Sequence, residues 1–200
     1  AVGVSGGVID AGQPFDLGKA RVMTVRIINA DVMVGLSQLA DESVNCVVTS
    51  PPYWGLRDYG TDGQIGLEAT PADFVSRLVG VFRDVRRVLR KDGTCWVNLG
   101  DSYNAAGRVG HSTRQGFKQG TNRASANGHD ECRPNAPGLK PKDLVGIPWR
   151  FALAMQDDGW WLRQDIIWHK PNPMPESVTD RCTKSHEYIF LMTKSERYFF

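Results

Sequence analysis

The chain has 200 residues, of which 41% are hydrophobic and 23% charged, a globular balance that excludes wholesale disorder. A chain of this length makes one ordinary domain or a large part of a bigger one, and it buries roughly 70% of its unfolded surface without staples. The net charge of +2 hides an uneven layout: residues 1–75 carry 4 Lys/Arg against 9 Asp/Glu, and residues 76–200 carry 20 against 13. A basic half of this kind can track phosphates, although a solvated helix face reads the same way.

Residues 1–21 are Gly-rich and weakly patterned and read as a flexible leader to a domain spanning 22–200. The β-branched run Val22–Ile28 predicts a buried strand. Asp31 is placed to cap a short helix over Val32–Leu39, with Val32, Leu36 and Leu39 on one face. Val44–Thr49 predicts a second buried strand, ended at Pro51-Pro52 because neither proline offers a ladder donor.

Thr70 opens the clearest helix. It is a cap, Pro71 suits the first helical position, and Asp73 completes an Asp-ended capping box. Phe74, Leu78, Val81, Val85, Val88 and Leu89 recur at helical spacing, and Asp92-Gly93 is the predicted stop. Thr94–Leu99 is the next strand. Alternation of strands and helices predicts an α/β fold with a parallel sheet.

Residues 103–142 break this pattern. They hold six glycines, three prolines and a local charge balance of +5, and read as a basic, Gly/Asn-rich functional insert. Asp143 is the expected cap of a helix running to about Asp158, with Gly159 as its stop. Trp161–Trp168 and Glu187–Thr193 read as strands. Lys194-Ser195-Glu196 is a predicted turn into a last strand at Arg197–Phe200.

No run approaches the ~18 apolar residues of a membrane span, and no secretory pattern opens the chain, so no membrane partner is expected. Four cysteines without a C-x-x-C pair suit a reducing, cytoplasmic setting better than a disulfide scaffold. His129-x-x-Cys132 has ligand-like spacing but no second pair, so no metal is expected. His186-Glu187 reads as structural, and Cys46 and Cys95 as core residues.

The most informative segment is Thr49-Ser50-Pro51-Pro52-Tyr53, at the carboxyl end of a predicted strand, where open α/β sheets place their ligand crevices. Two prolines rigidify the turn, so the Ser50 hydroxyl and nearby carbonyls point in fixed directions, and an aromatic ring follows. Such a set accepts hydrogen bonds from a planar exocyclic amine and stacks against its ring.

TSPPY resembles the catalytic motif of the S-adenosylmethionine-dependent DNA amino-methyltransferases. Asn29-Ala30-Asp31, Leu39–Val44 and the segment from Asp165 through Trp168, Lys170, Asn172, Pro173 and Pro175 to Ser177 resemble the beta group of that family. The resemblance covers about residues 22–200, apart from the insert. It implies a Rossmann-like methyltransferase sheet with helices on both faces and a bacterial or phage origin. It also implies catalytic roles for Ser50, Pro51, Pro52 and Tyr53, substrate contacts from Trp54, Lys170, Asn172 and Pro173, and a cofactor contact from Asp31.

The implied cofactor is S-adenosylmethionine, the implied substrate double-stranded DNA with the target base flipped out, and the implied companion a restriction endonuclease. In the family, Ser at the first motif position is common for cytosine N4 and Asp for adenine N6; Ser50 therefore favours N4, with N6 as the alternative. Carbon-5 methylation needs a Pro-Cys nucleophile, and no such dipeptide occurs. A catalytically inactive DNA-binding remnant, and an amine methyltransferase acting on protein or RNA, are further alternatives.

In this family a G-x-G loop holds the cofactor, and the chain has no G-x-G. In the beta group that piece follows the catalytic segments, so this chain is expected to be the front part of a longer enzyme, its sheet lacking the cofactor-binding strand. Exposed sheet edges then predict self-association.

Overall fold

Residues 25–56, 58–104, 136, 138–173 and 178–199 are described by the structure, a computed structural model. In chain order the elements are α1 (Val32–Ser37), β1 (Val44–Thr49), α2 (Pro71–Val88), β2 (Leu89–Leu99), α3 (Ile147–Asp157), β3 (Trp161–His169) and β4 (His186–Thr193). The expected leader (1–21) and most of the insert lie outside the described residues.

The strands form one sheet in the order β1-β2-β4-β3. β1 and β2 are parallel, and β4 runs antiparallel to both of its neighbours. The sheet is therefore mixed rather than wholly parallel. Helix α2 carries the chain from β1 to its parallel neighbour, as a crossover must. Among the described residues between β3 and β4 there is no helix, which an antiparallel pair permits.

The capping chemistry of α2 follows from its sequence. The Thr70 hydroxyl accepts from the Asp73 amide at 3.1 Å and donates to the Asp73 carboxylate at 2.7 Å. The helix ends at Val88, upstream of the expected Asp92-Gly93 stop, because Leu89 is already extended and pairs with Val44. The ladder then skips residues 90–93 and resumes at Thr94 opposite Cys46.

Cys95, Val97 and Leu99 of β2 alternate onto one sheet face, are fully buried, and share a core with Phe74, Leu78 and Phe82 of α2 and Phe151 and Met155 of α3. Phe82 and Phe151 meet edge to face at 5.1 Å, a favourable aromatic geometry. α1 leans on α2, where Arg87 donates to the Leu36 and Leu39 carbonyls. Among the described residues, α2 and α3 pack on this face, while Cys46 and Val48 of β1 are exposed, so Cys95 is a core residue as expected and Cys46 is not, because it falls on the opposite face of the sheet. The second helical layer implied by the family is not among them.

Three local expectations are corrected. Residues 25–28 form no strand: Val25 and Ile27 are 72% and 85% exposed, and they pair with none of the described strands although the outer edge of β1 is open. Residues 197–199 form none either; the Phe199 amide instead donates to the Asp92 carbonyl at 2.9 Å, over the skipped stretch of β2. Asp143 does not cap α3. Its carboxylate accepts from the Lys140 amide, and Gly146, at φ +76°, is the helix's flanking residue. The cap comes from a distance: Asp101 Oδ1 accepts from the Gly146 and Ile147 amides at 3.0 and 3.1 Å.

Candidate active site

β1 ends at Thr49 and delivers Ser50, Pro51, Pro52 and Tyr53 to the carboxyl edge of the sheet. Ser50 is exposed, Pro51 buried, and Pro52 and Tyr53 half-buried. The neighbouring strand β2 supplies Asn98, whose side chain lies on the opposite face from Val97 and Leu99. Asn98 Oδ1 accepts from Ser50 Oγ at 3.3 Å and from the Tyr53 hydroxyl at 3.0 Å. Its Nδ2 donates to the Tyr188 carbonyl of β4 at 3.1 Å, which fixes which way the amide points.

Tyr53 is wedged as well as bonded. An ideal Cβ added at Gly100 would lie 2.5 Å from Tyr53 Cε2, so only a glycine lets the ring lie there. The Tyr53 hydroxyl also reaches Glu187 Oε2 at 3.2 Å, and Lys170 Nζ is hydrogen-bonded to the other carboxylate oxygen. Burial raises the Tyr53 phenol pKa above its ordinary value, with the Glu187 charge adding to that. Burial also works to raise the Glu187 carboxyl, but the hydrogen bonds from Lys170, Asn98 and Tyr53 outweigh it and hold the group below the usual carboxylate range.

Among the residues singled out from sequence, the structure brings Ser50, Tyr53 and Lys170 into one hydrogen-bonded cluster. Trp54 is not at the surface of that cluster: it is 5% exposed, sits in the core, and donates from Nε1 to the Glu68 carbonyl at 2.9 Å. A ring buried in this way packs in the core rather than facing the Ser50–Tyr53 cluster. Asn172 and Pro173 follow Lys170 in a bend, Asn172 exposed and Pro173 half-buried. Residues 174–177 and the His129/Cys132 pair lie outside the described residues.

Asn98 and Gly100 are members that the sequence did not single out, and Glu187, which reads there as structural, is the third. A polar residue between Val97 and Leu99 in an otherwise apolar strand was the available signal for Asn98.

Asp31 caps α1, its Oδ1 accepting from the Met33 amide at 2.9 Å. It also lines a groove of about 730 Å³ along the outer edge of β1. Val44–Val48, Val81 and Val85 make the groove largely apolar, and Pro51 and Pro52 border it. The groove therefore links the Asp31 position to the Ser50-Pro51-Pro52-Tyr53 turn.

The arginines that α2 and the start of β2 contribute to the basic half of the chain are largely committed to ion pairs within the molecule. Arg77 pairs with Glu68, Arg83 with Asp158, Arg87 with Asp41 and Asp84, and Arg90 with Asp92. The insert's two ends are pinned by buried Asn104, which donates to the Leu139 and Lys140 carbonyls and accepts from the Ala136 amide. Beside them the Arg181 guanidinium lies 3.8 Å from the centre of the Tyr103 ring, and Lys142 pairs with Asp180. The base of the basic insert thus abuts the chain that follows the Lys170 segment. No helix among the described residues is long and apolar enough to cross a membrane, and no cluster of His, Cys, Asp and Glu among them could hold a metal ion.

Comparisons with known proteins agree with this architecture. A family model described as DNA methylase matches residues 44–200. The type II methyltransferase M.Cfr9I of Citrobacter freundii is 54% identical over 175 residues, covering 87% of this chain and 56% of the relative. M.SmaI of Serratia marcescens is 51% identical over 183 residues, covering 91% and 60%. This chain thus spans little more than half the length of these two relatives.

Among solved structures, the cytosine-N4-specific PvuII DNA methyltransferase shares the fold at a TM-score of 0.52 and 16% identity, over 82% of this chain and 46% of that one. A putative DNA modification methylase from Thermus thermophilus, complexed with S-adenosyl-L-methionine, does so at 0.53 and 22%, over 84% and 53%. The matched family model covers the sheet, the Ser50–Tyr53 turn and the Lys170 segment alike, and the chain belongs to that DNA methylase family.

Proposed function

We propose that this chain is the catalytic front part of an S-adenosylmethionine-dependent enzyme that methylates the exocyclic N4 of cytosine in double-stranded DNA. The observation that carries the reading is the shared acceptor: Ser50 Oγ and the Tyr53 hydroxyl both donate to Asn98 Oδ1. With its proton committed there, Ser50 Oγ keeps its lone pairs for an N–H of an incoming amine.

The chemistry needs that help. An exocyclic amine's lone pair is conjugated into the base and is a poor nucleophile. Hydrogen bonds from its two N–H groups to Ser50 Oγ and the Pro51 carbonyl favour a tetrahedral nitrogen and free the lone pair, with positioning and electrostatics supplying the rate. Bound S-adenosylmethionine supplies the electrophilic sulfonium methyl. The methylated amine is strongly acidic and sheds its proton to water, so the neutral Asn98 amide suffices and no strong base is required. The base must leave the duplex stack to reach the turn, and the Tyr53 ring stacks on it, a contact worth roughly 1–3 kcal/mol.

For the cofactor, this chain's residues fit in part. The apolar groove along β1 suits a ring and a ribose, and Asp31 keeps one carboxylate oxygen beyond the one that caps α1. No G-x-G cradle is present in the sequence to hold the polar end. The 200-residue chain by itself is therefore expected to methylate poorly. The type II names of its relatives support a companion restriction endonuclease, and the outer edge of β1, with Val48 73% exposed, supports self-association of the isolated chain.

The test is transfer from labelled S-adenosylmethionine to unmethylated DNA, with the nucleosides identified by mass spectrometry. N4-methylcytosine from the full-length protein is the expected product. N6-methyladenine overturns the choice of base, and DNA binding without any product leaves an inactive remnant as the reading.

A further inference from the structure

Stacking on a flipped base requires a ring that stays where it is put. Tyr53 is exposed to the site on one side, and its placement is set by what lies behind it. One neighbour is Gly100, where a side chain would collide with the ring. The others are two acceptors for one hydroxyl proton, Asn98 Oδ1 at 3.0 Å and Glu187 Oε2 at 3.2 Å. The hydroxyl sits between them, so its single proton is shared between the amide oxygen and the anionic carboxylate, whose charge strengthens the longer contact.

Glu187 lies near the start of β4, opposite Trp168 of β3. Its two oxygens are divided: Oε1 takes Lys170 Nζ, and Oε2 faces Tyr53. Lys170 is itself steadied, with its ammonium 5.9 Å from the centre of the Trp168 ring and its backbone amide donating to the Ser185 carbonyl. A salt bridge serving only to join two strand ends would leave the second oxygen to water. Here that oxygen is spent on a tyrosine from a turn 134 positions away in sequence.

We propose that Glu187 is a positioning residue: gripped by Lys170, it anchors the Tyr53 hydroxyl and couples the Trp168–Lys170 strand end to the Ser50–Tyr53 turn. The consequence for methyl transfer rests on the function proposed above, while the link between the two side chains does not.

The experiment uses the full-length protein with isotope-labelled tyrosine, the Tyr53 ring resonance being assigned by its loss in Tyr53→Phe. In Glu187→Gln, which keeps the shape and removes the charge, the Tyr53 resonance shifts and its titration midpoint falls. Tyr59, Tyr103 and Tyr198, which lie away from the substitution, stay in place and certify the fold. Lys170→Arg, which keeps the charge, holds the resonance closer to its original position than Lys170→Met does. An unmoved Tyr53 resonance in Glu187→Gln overturns the proposal.

Kinetics supply the second arm. Glu187→Gln lowers kcat roughly tenfold, the scale of one lost charge-assisted hydrogen bond, with KM for DNA little changed. The same substitution made in Tyr53→Phe costs nothing further, because the hydroxyl it acts through is gone. Independent, additive losses overturn the positioning role. If the unmutated protein yields no methylated base while the resonance shifts, the link stands and the methyltransferase reading fails.

Discussion

Ser50 and Tyr53, three residues apart on the turn that follows β1, give their hydroxyls to the same atom, Asn98 Oδ1, at 3.3 and 3.0 Å. The two prolines between them stiffen the turn, and a side chain from the adjacent parallel strand gathers its ends. This convergence makes Asn98 the residue whose loss disturbs both groups at once.

Asn98→Ala is expected to reduce single-turnover methyl transfer by about 10- to 100-fold, since it frees the Ser50 proton and loosens Tyr53 together. It also removes the hydrogen bond to the Tyr188 carbonyl, at a cost of about 1 kcal/mol in thermal unfolding. Asn98→Asp keeps an acceptor and is expected to lose less in rate. Full-rate transfer by the alanine variant contradicts this role for Asn98.

Gly100 tests the wedge behind the ring. Alanine there puts a methyl group 2.5 Å from Tyr53 Cε2, and overpacking of this kind costs about 1–3 kcal/mol. Pairing it with Tyr53→Ala removes the clash, so the double variant is expected to be less destabilised than the two single losses together predict. Strict additivity in denaturant melts rules the wedge out.

The helices and strands whose pattern is local were legible in the sequence. Val44–Thr49 is the observed β1, and Thr70 and Pro71 start α2 where their chemistry says. What was not legible depends on neighbours. Residues 22–28 have strand composition, yet 25–28 pair with no described strand, and strand composition by itself does not supply a partner. Trp54 looked like a second stacking ring because it follows Tyr53, but the turn directs it into the core. Glu187 looked structural because nothing in the sequence says that it meets Tyr53 and Lys170. The Ser50–Pro52 motif announces its chemistry locally, while the residues that hold it come from three other places in the chain.

The Glu187 carboxylate gives a pH signature. Its folded-state pKa lies below the ordinary 4.5, so the folded chain binds its proton more weakly than the unfolded chain does. The stabilisation is therefore complete above about pH 4.5 and drains away as pH falls through the lower folded value. Glu187→Gln is expected to flatten that part of the stability-versus-pH curve, measured by thermal melts from neutral pH downward. An unchanged acid limb argues that Glu187 is not held in its charged form by Lys170.

Asp101 and Asp143 separate a cap that works through space from one that only looks correct in sequence. Asp143 stands four residues before α3, where a capping residue is plausible, but its carboxylate serves the Lys140 amide. Asp101 stands two residues beyond β2, and its Oδ1 gathers the Ser102, Gly146 and Ile147 amides. Two of those are donors at the start of α3 that the helix itself cannot satisfy. Asp101→Ala is thus expected to cost about 1–2 kcal/mol of stability, the upper range for a lost cap, and to raise amide exchange in the first turn of α3. Asp143→Ala leaves that turn protected. Equal exchange in the two variants refutes the assignment, because it means that the strand end does not hold the helix.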